Sequence, residues 1–174
     1  AIGQVRELML KYEVSDKPLW NTEAGWSKPK PFPSEELAAA YVARSYILNW
    51  AGGVSRFYWY AWDNQNWVSL AMTRADRTTM TPAAVAYANV QKWLVGAQMT
   101  TYESDRQNTW ICQLKRDDGY RAGIVWNPDG QLAFNVPADW QVQHIQDLAG
   151  VQRDFSGNSI EIGPSPLLLE NFAS

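Results

Sequence analysis

The chain has 174 residues, with 15 basic and 18 acidic side chains and a formal net charge of −3. That balance argues against a binder of nucleic-acid phosphates, which needs a basic face. An apolar share of 46% and a charged share of 19% describe a globular chain of one or two domains.

No apolar run approaches the roughly 18 residues that cross a bilayer; the longest, Leu37 to Ala43, stops at Arg44, so no membrane association is expected. A single cysteine, Cys112, excludes an intrachain disulfide, and a single histidine, His144, leaves no Cys/His cluster for zinc. Cys112 alternates with Trp110 and Leu114, the pattern of a packed thiol. No metal or cofactor is expected, and any chemistry rests on carboxylates, hydroxyls and aromatics. Ten tryptophans, eight tyrosines and five phenylalanines are the compositional outlier. Such rings stack on sugars, but they also fill cores, and by count alone core filling leads.

Ile2, Val5, Leu8, Met9 and Tyr12 recur at helical spacing from almost the first residue, without a capping residue and without a charged-then-apolar leader. The start therefore reads as an interior cut or a processed end. Pro18 to Glu23 reads as a short strand ending at Ala24-Gly25-Trp26. Pro29, Pro31 and Pro33 hold the next segment extended until Ser34, an N-cap with Glu35 and Glu36 behind it. A helix is expected over 35–51, its apolar stripe formed by Leu37, Ala40, Tyr41, Leu48 and Ala51 and its end marked by Gly52-Gly53. Arg56 to Trp62 reads as a strand buried on both faces. Thr81-Pro82 opens a further helix running to Gly96.

Helices and strands thus alternate over 1–97, the pattern of a parallel sheet with helices outside. The strand-to-helix loops, 24–33 and 63–80, are long and the return at 52–55 is short. Long loops at the carboxyl ends of strands mark the side where a ligand sits. From 98 onward, short strands separated by Asp117-Asp118-Gly119, Asn127-Pro128-Asp129-Gly130, Ser156-Gly157-Asn158 and Gly163-Pro164 indicate an antiparallel β-sandwich over 98–174.

By the period of two, Leu19, Asn21 and Glu23 share one face of the first strand. A glutamate closing a buried parallel strand is costly unless it is paired or used; the plainer alternative is a carboxylate solvated at a loop edge. The string Trp20-Asn21-Thr22-Glu23-Ala24-Gly25-Trp26 resembles the segment around the seventh strand of retaining glycoside hydrolases of the 4/7 superfamily, clan A, of the family 5 or family 39 type. Tyr58-Trp59-Tyr60-Ala61-Trp62-Asp63-Asn64 resembles their eighth strand. Residues 84–97 resemble their last barrel helix, and Ile162 to Glu170 resembles the closing strand of an accessory sandwich.

The resemblance implies a partial (β/α)8 barrel, its last two strands with flanking helices over 1–97, followed by an accessory sandwich. It implies Glu23 as the catalytic nucleophile in hydrolysis of O-glycosidic bonds with retention, and an oligo- or polysaccharide substrate contacted by Trp26, Tyr60 and Trp62. Tyr60 and Trp62 are read on one face of their strand; Asp63 and Asn64 read as turn formers. Retention requires a second carboxyl group roughly 5 to 5.5 Å away to protonate the leaving oxygen. In the family this acid follows an asparagine, and no Asn-Glu pair occurs here. A barrel also takes about 250 residues. The chain is therefore expected to be the C-terminal part of a secreted or periplasmic enzyme, inactive without its N-terminal barrel half. The reading from a different class is a non-catalytic carbohydrate-binding or structural module.

Overall fold

The computed structural model describes residues 1–63 and 66–171; Asn64 lies outside them. Three helices and ten strands follow in the order α1 (Ile2–Lys11), β1 (Leu19–Ala24), α2 (Glu35–Ala51), β2 (Val54–Trp59), α3 (Pro82–Leu94), β3 (Gln98–Ser104), β4 (Trp110–Lys115), β5 (Arg121–Trp126), β6 (Leu132–Asn135), β7 (His144–Gln146), β8 (Gln152–Asp154), β9 (Ser159–Ile162) and β10 (Leu167–Asn171).

The expected caps form. Ser34 accepts from the Leu37 amide at the start of α2, and Thr81 does the same for Ala84 ahead of Pro82 in α3. Gly53 leaves α2 at a φ of +74°, where a side chain would be strained. α1 is attached through Arg6, whose guanidinium donates to the carbonyls of Gly52 and Gly53.

The expectation of a partial barrel is not met. β1 and β2 pair in parallel, with α2 as their crossover, but they stand as a two-stranded sheet with no closure. The remaining strands pair antiparallel, six in the order β3-β4-β5-β10-β7-β8 and two as β6-β9. The molecule is thus a mixed α and β fold dominated by antiparallel sheet. The alternation of helix and strand suggested a barrel because one parallel crossover unit has the same local pattern as any segment of a closed barrel.

The layers explain the core. One face of the six-stranded sheet, with Cys112, Leu114, Ile124, Trp126 and Leu168, packs on Ala40, Ala43 and Ile47 of α2 and on Ala86, Val90 and Trp93 of α3. The other face, with Val125, Ile145 and Leu169, packs on Ile160 and Ile162 of β9 and on Phe134 of β6, the sandwich arrangement expected after residue 98. Burying a side chain such as Ile47 or Leu168 contributes about 1.5–3 kcal/mol relative to exposure.

α2 lies between the six-stranded sheet and the β1–β2 pair, so its buried set is Ala38, Ala39, Ala40, Val42, Ala43, Ile47 and Asn49. The single stripe expected through Leu37, Leu48 and Ala51 is incorrect, because a helix covered from two sides is apolar around most of its circumference. Alanines there let α3 approach closely. Hydrogen bonds tie the layers further. The Trp93 indole donates to the Gln146 side chain, and Asn89 donates to the Leu148 carbonyl at 3.0 Å. No described helix is long and apolar enough to cross a membrane.

Candidate functional site

β2 is not buried on both faces. Phe57 and Trp59 face the helices, packing edge-on against Tyr46 at 4.6 Å and Tyr41 at 6.0 Å. Tyr58, between them, is exposed. α2 covers one side of the β1–β2 pair, and among the described residues no element covers the other.

β1 carries the decisive irregularity. Asn21 pairs with Phe57 and Ala24 with Trp59, so three steps along β1 match two along β2 and one residue is extra. Asn21 points to α2, where its amide donates to Asn49 at 3.1 Å. Strict alternation would send Glu23 the same way. The bulge breaks the alternation, so that Thr22 and Glu23 are both exposed and Ala24 turns back toward the interior. The expected grouping of Leu19, Asn21 and Glu23 on one face is thereby corrected. A carboxylate left facing Asn49 and Tyr46 would be desolvated without a cation; the extra residue removes that cost. Glu23 makes no hydrogen bond or ion pair with any described residue.

The uncovered side is aromatic. Trp20, Tyr58 and Tyr60 are 52%, 47% and 40% exposed, and Trp62, beyond the end of β2, is 49% exposed. Arg56, which is paired with Trp20 in the register, holds its guanidinium 4.9 Å above the Trp20 ring and reaches the Tyr58 hydroxyl at 3.3 Å. The Tyr60 amide donates to the Ala24 carbonyl at 2.7 Å, which fixes Tyr60 beside the end of β1, next to Glu23 in the chain. The sequence reading missed Trp20, Arg56 and Tyr58. Their signal was present: residues 56, 58 and 60 alternate with the helix-facing 57 and 59.

Trp62 does not share a strand face with Tyr60, because β2 ends at Trp59 and the chain then bends; the Trp62 ring meets Tyr87 of α3 edge-on at 6.1 Å. Trp26 turns away from the open side. It packs against Phe32 at 4.9 Å and Tyr41 at 5.5 Å, and its indole donates to the Lys30 carbonyl. The structure thus ties Tyr60 to Ala24, the residue after Glu23, leaves Trp62 one bend further on, and assigns Trp26 to an aromatic cluster.

The two long loops do meet. Lys28 donates to the Trp67 carbonyl at 3.1 Å, and Ser69 donates to that of Trp26 at 2.9 Å. Between them and the N-termini of α2 and α3 lies a cleft of about 820 Å³. None of Glu23, Trp26, Tyr60 or Trp62 lines it. Its walls include Phe32, Leu70 and Pro82, and of its charged residues Lys28, Glu35 and Arg74, the last two form a bidentate pair with each other; Arg74 holds the Glu35 carboxyl below the usual range. The hydroxyl residues Ser34, Ser69, Thr73 and Thr81 complete its polar lining. Among the described residues no three His, Cys, Asp or Glu side chains cluster as metal ligands.

Neither a scan against protein-family models nor a search of curated proteins returns a match for this chain.

Proposed function

We propose that this chain carries the nucleophile of a retaining glycoside hydrolase, Glu23, on the uncovered face of the β1–β2 pair. The observation that carries the reading is the bulge between Asn21 and Ala24, which frees the Glu23 carboxylate from the helix side and sets it at the end of an aromatic surface. The resemblance of Trp20 to Trp26 and of Tyr58 to Asn64 to glycosidase strand segments supports the same assignment.

In this reading the Glu23 carboxylate attacks the anomeric carbon while the bond to the leaving oxygen breaks, and the electron pair goes to that oxygen, which takes a proton from an acid. Water then attacks the same carbon and gives its proton to the conjugate base of that acid, the ester to Glu23 breaks, and the carboxylate is restored. Tyr60, exposed beside the strand ends, hydrogen-bonds the sugar or the carboxylate. Trp20, Tyr58 and Trp62 offer ring faces to the saccharide. No residue of this chain is assigned as the acid; a companion segment docking on the uncovered sheet face supplies it.

Dinitrophenyl glycosides test this directly, because their leaving group departs without a proton. The chain alone is expected to release one equivalent of dinitrophenolate in a burst from a glycoside of the correct sugar, and Glu23→Gln to release none. Equal release by both proteins, or none from gluco, galacto, manno and xylo substrates alike, contradicts the proposal.

A further inference from the structure

The sandwich carries a second recess, of about 280 Å³, remote in sequence from Glu23. Its floor is a continuation of the sheet face that packs against β6 and β9. Ile111 pairs with Val125, Gln113 with Gly123, and Lys115 with Arg121 across β4 and β5. Ile111 and Val125 are covered by the second sheet. Two and four residues further along, the same face is left open and becomes polar and then cationic.

Two features set this recess apart from an ordinary solvated edge. Lys115 and Arg121 stand directly opposite each other, an arrangement of like charges that destabilises an antiparallel pair. Neither side chain forms an ion pair or a hydrogen bond with any described residue. The recess also has an aromatic wall. Gly123 lets the Trp140 ring lie against the strand, since a Cβ there would fall 2.2 Å from Trp140 Cζ3. Asp139, the neighbour of Trp140 in the short 3-10 turn Ala138–Trp140, completes the rim.

We infer that this recess binds an acidic saccharide, a sugar ring bearing a carboxylate. A carboxylate between Lys115 and Arg121 replaces their mutual repulsion with two charge-assisted contacts. The Trp140 ring flanks the C–H face of the sugar. Asp139 and Gln113 then have hydroxyls to bond. An acidic peptide offers carboxylates but no such array of hydroxyls for Asp139 and Gln113 to bond. The inference deepens the hydrolase reading by giving the substrate a uronate unit, and it rests on that reading only in treating the bound saccharide as substrate.

The test follows the Gly123 amide and the Trp140 indole N–H by NMR while trigalacturonate is added to the full chain at millimolar concentration. Both signals are expected to shift, and neutral galactotriose, triglutamate and inorganic phosphate are expected to leave them in place. Lys115→Gln and Arg121→Gln, at exposed positions, should each weaken binding about tenfold, the loss of one charge-assisted contact. Glu23→Gln should bind like the parent, so that failure of hydrolysis and failure of this site are read separately. Unmoved signals with trigalacturonate, or equal shifts with triglutamate or phosphate, overturn the inference. Should a Gln variant lose its fold in a melting control, the comparison of acidic and neutral trisaccharides on the unmodified chain still decides it.

Discussion

Gly25 passes directly beneath the carbonyl of Tyr60, so closely that a Cβ on Gly25 would sit 1.9 Å from that oxygen. With the hydrogen bond from the Tyr60 amide to Ala24, this contact locks the end of β1 to the end of β2. Because the neighbouring atom is backbone, no rotamer change relieves the clash. Gly25→Ala is therefore expected to lower stability by about 1–3 kcal/mol, the range for overpacking, and to displace Tyr60 from the end of β1. Urea denaturation measures the first effect and the Tyr60 ring signals in an NMR spectrum the second. A variant as stable as the parent contradicts the contact.

Tyr120 and Glu170 are both buried, and the phenol donates to the carboxylate at 2.7 Å. Burial first, and then Glu170, push the Tyr120 hydroxyl well above its ordinary range, so it stays protonated and able to donate. Tyr120→Phe leaves the Glu170 oxygen without this donor and is expected to destabilise the fold by about 1–3 kcal/mol. Glu170→Gln keeps an acceptor in place and should cost less. Thermal melts of the two variants check the order.

Asp76 accepts from the Thr79 hydroxyl and from the amides of Thr78 and Thr79, and these bonds bring its carboxyl down to about 2. A depressed carboxylate contributes order that is fully present above its ordinary value and is lost as the pH falls through the folded one. The loop carrying Asp76 is thus expected to be intact at neutral pH and to loosen as the pH falls below about 4 toward 2. The Thr78 and Thr79 amide signals report this. A midpoint at the ordinary aspartate value contradicts the cap.

Cys112 is fully buried against the helices, and burial pushes its thiol up to about 12. The thiolate is the reactive form, so a disulfide reagent at mildly alkaline pH should leave the native protein unmodified and label it once in denaturant. Rapid labelling of the folded chain contradicts the packing.

The elements that sequence made legible are those held by local chemistry or by burial. Ser34 and Thr81 announce their helices, the alternation in β9 announces a half-buried strand, and the apolar run in β5 a strand buried on both faces. β3 and β8 carry no such signal, and both are edges of the six-stranded sheet. β3 has only Met99 partly covered, and β8 is exposed throughout. An edge strand contributes hydrogen bonds more than side-chain burial, and polar residues on it discourage pairing with other chains, so the apolar periodicity that reveals a strand is missing. The site was legible in composition but not in direction. A period of two predicts where Glu23 points only if the register is regular, and an extra residue within β1 leaves no mark in a string of ordinary strand residues. The two-sided burial of α2 was hidden for a similar reason, since a stripe read from one helix cannot indicate that layers lie on both sides.

The central claim is that Glu23 forms a covalent bond to a sugar. The most direct measurement is mass spectrometry of the peptide containing Glu23 after incubation with activated fluorosugars, which slow breakdown of the glycosyl-enzyme. The account predicts a glycosyl adduct on Glu23 with one sugar of the panel, removed by denaturation at alkaline pH and absent from Glu23→Gln. An unmodified Glu23 across the panel, or an adduct that persists in Glu23→Gln, would contradict it.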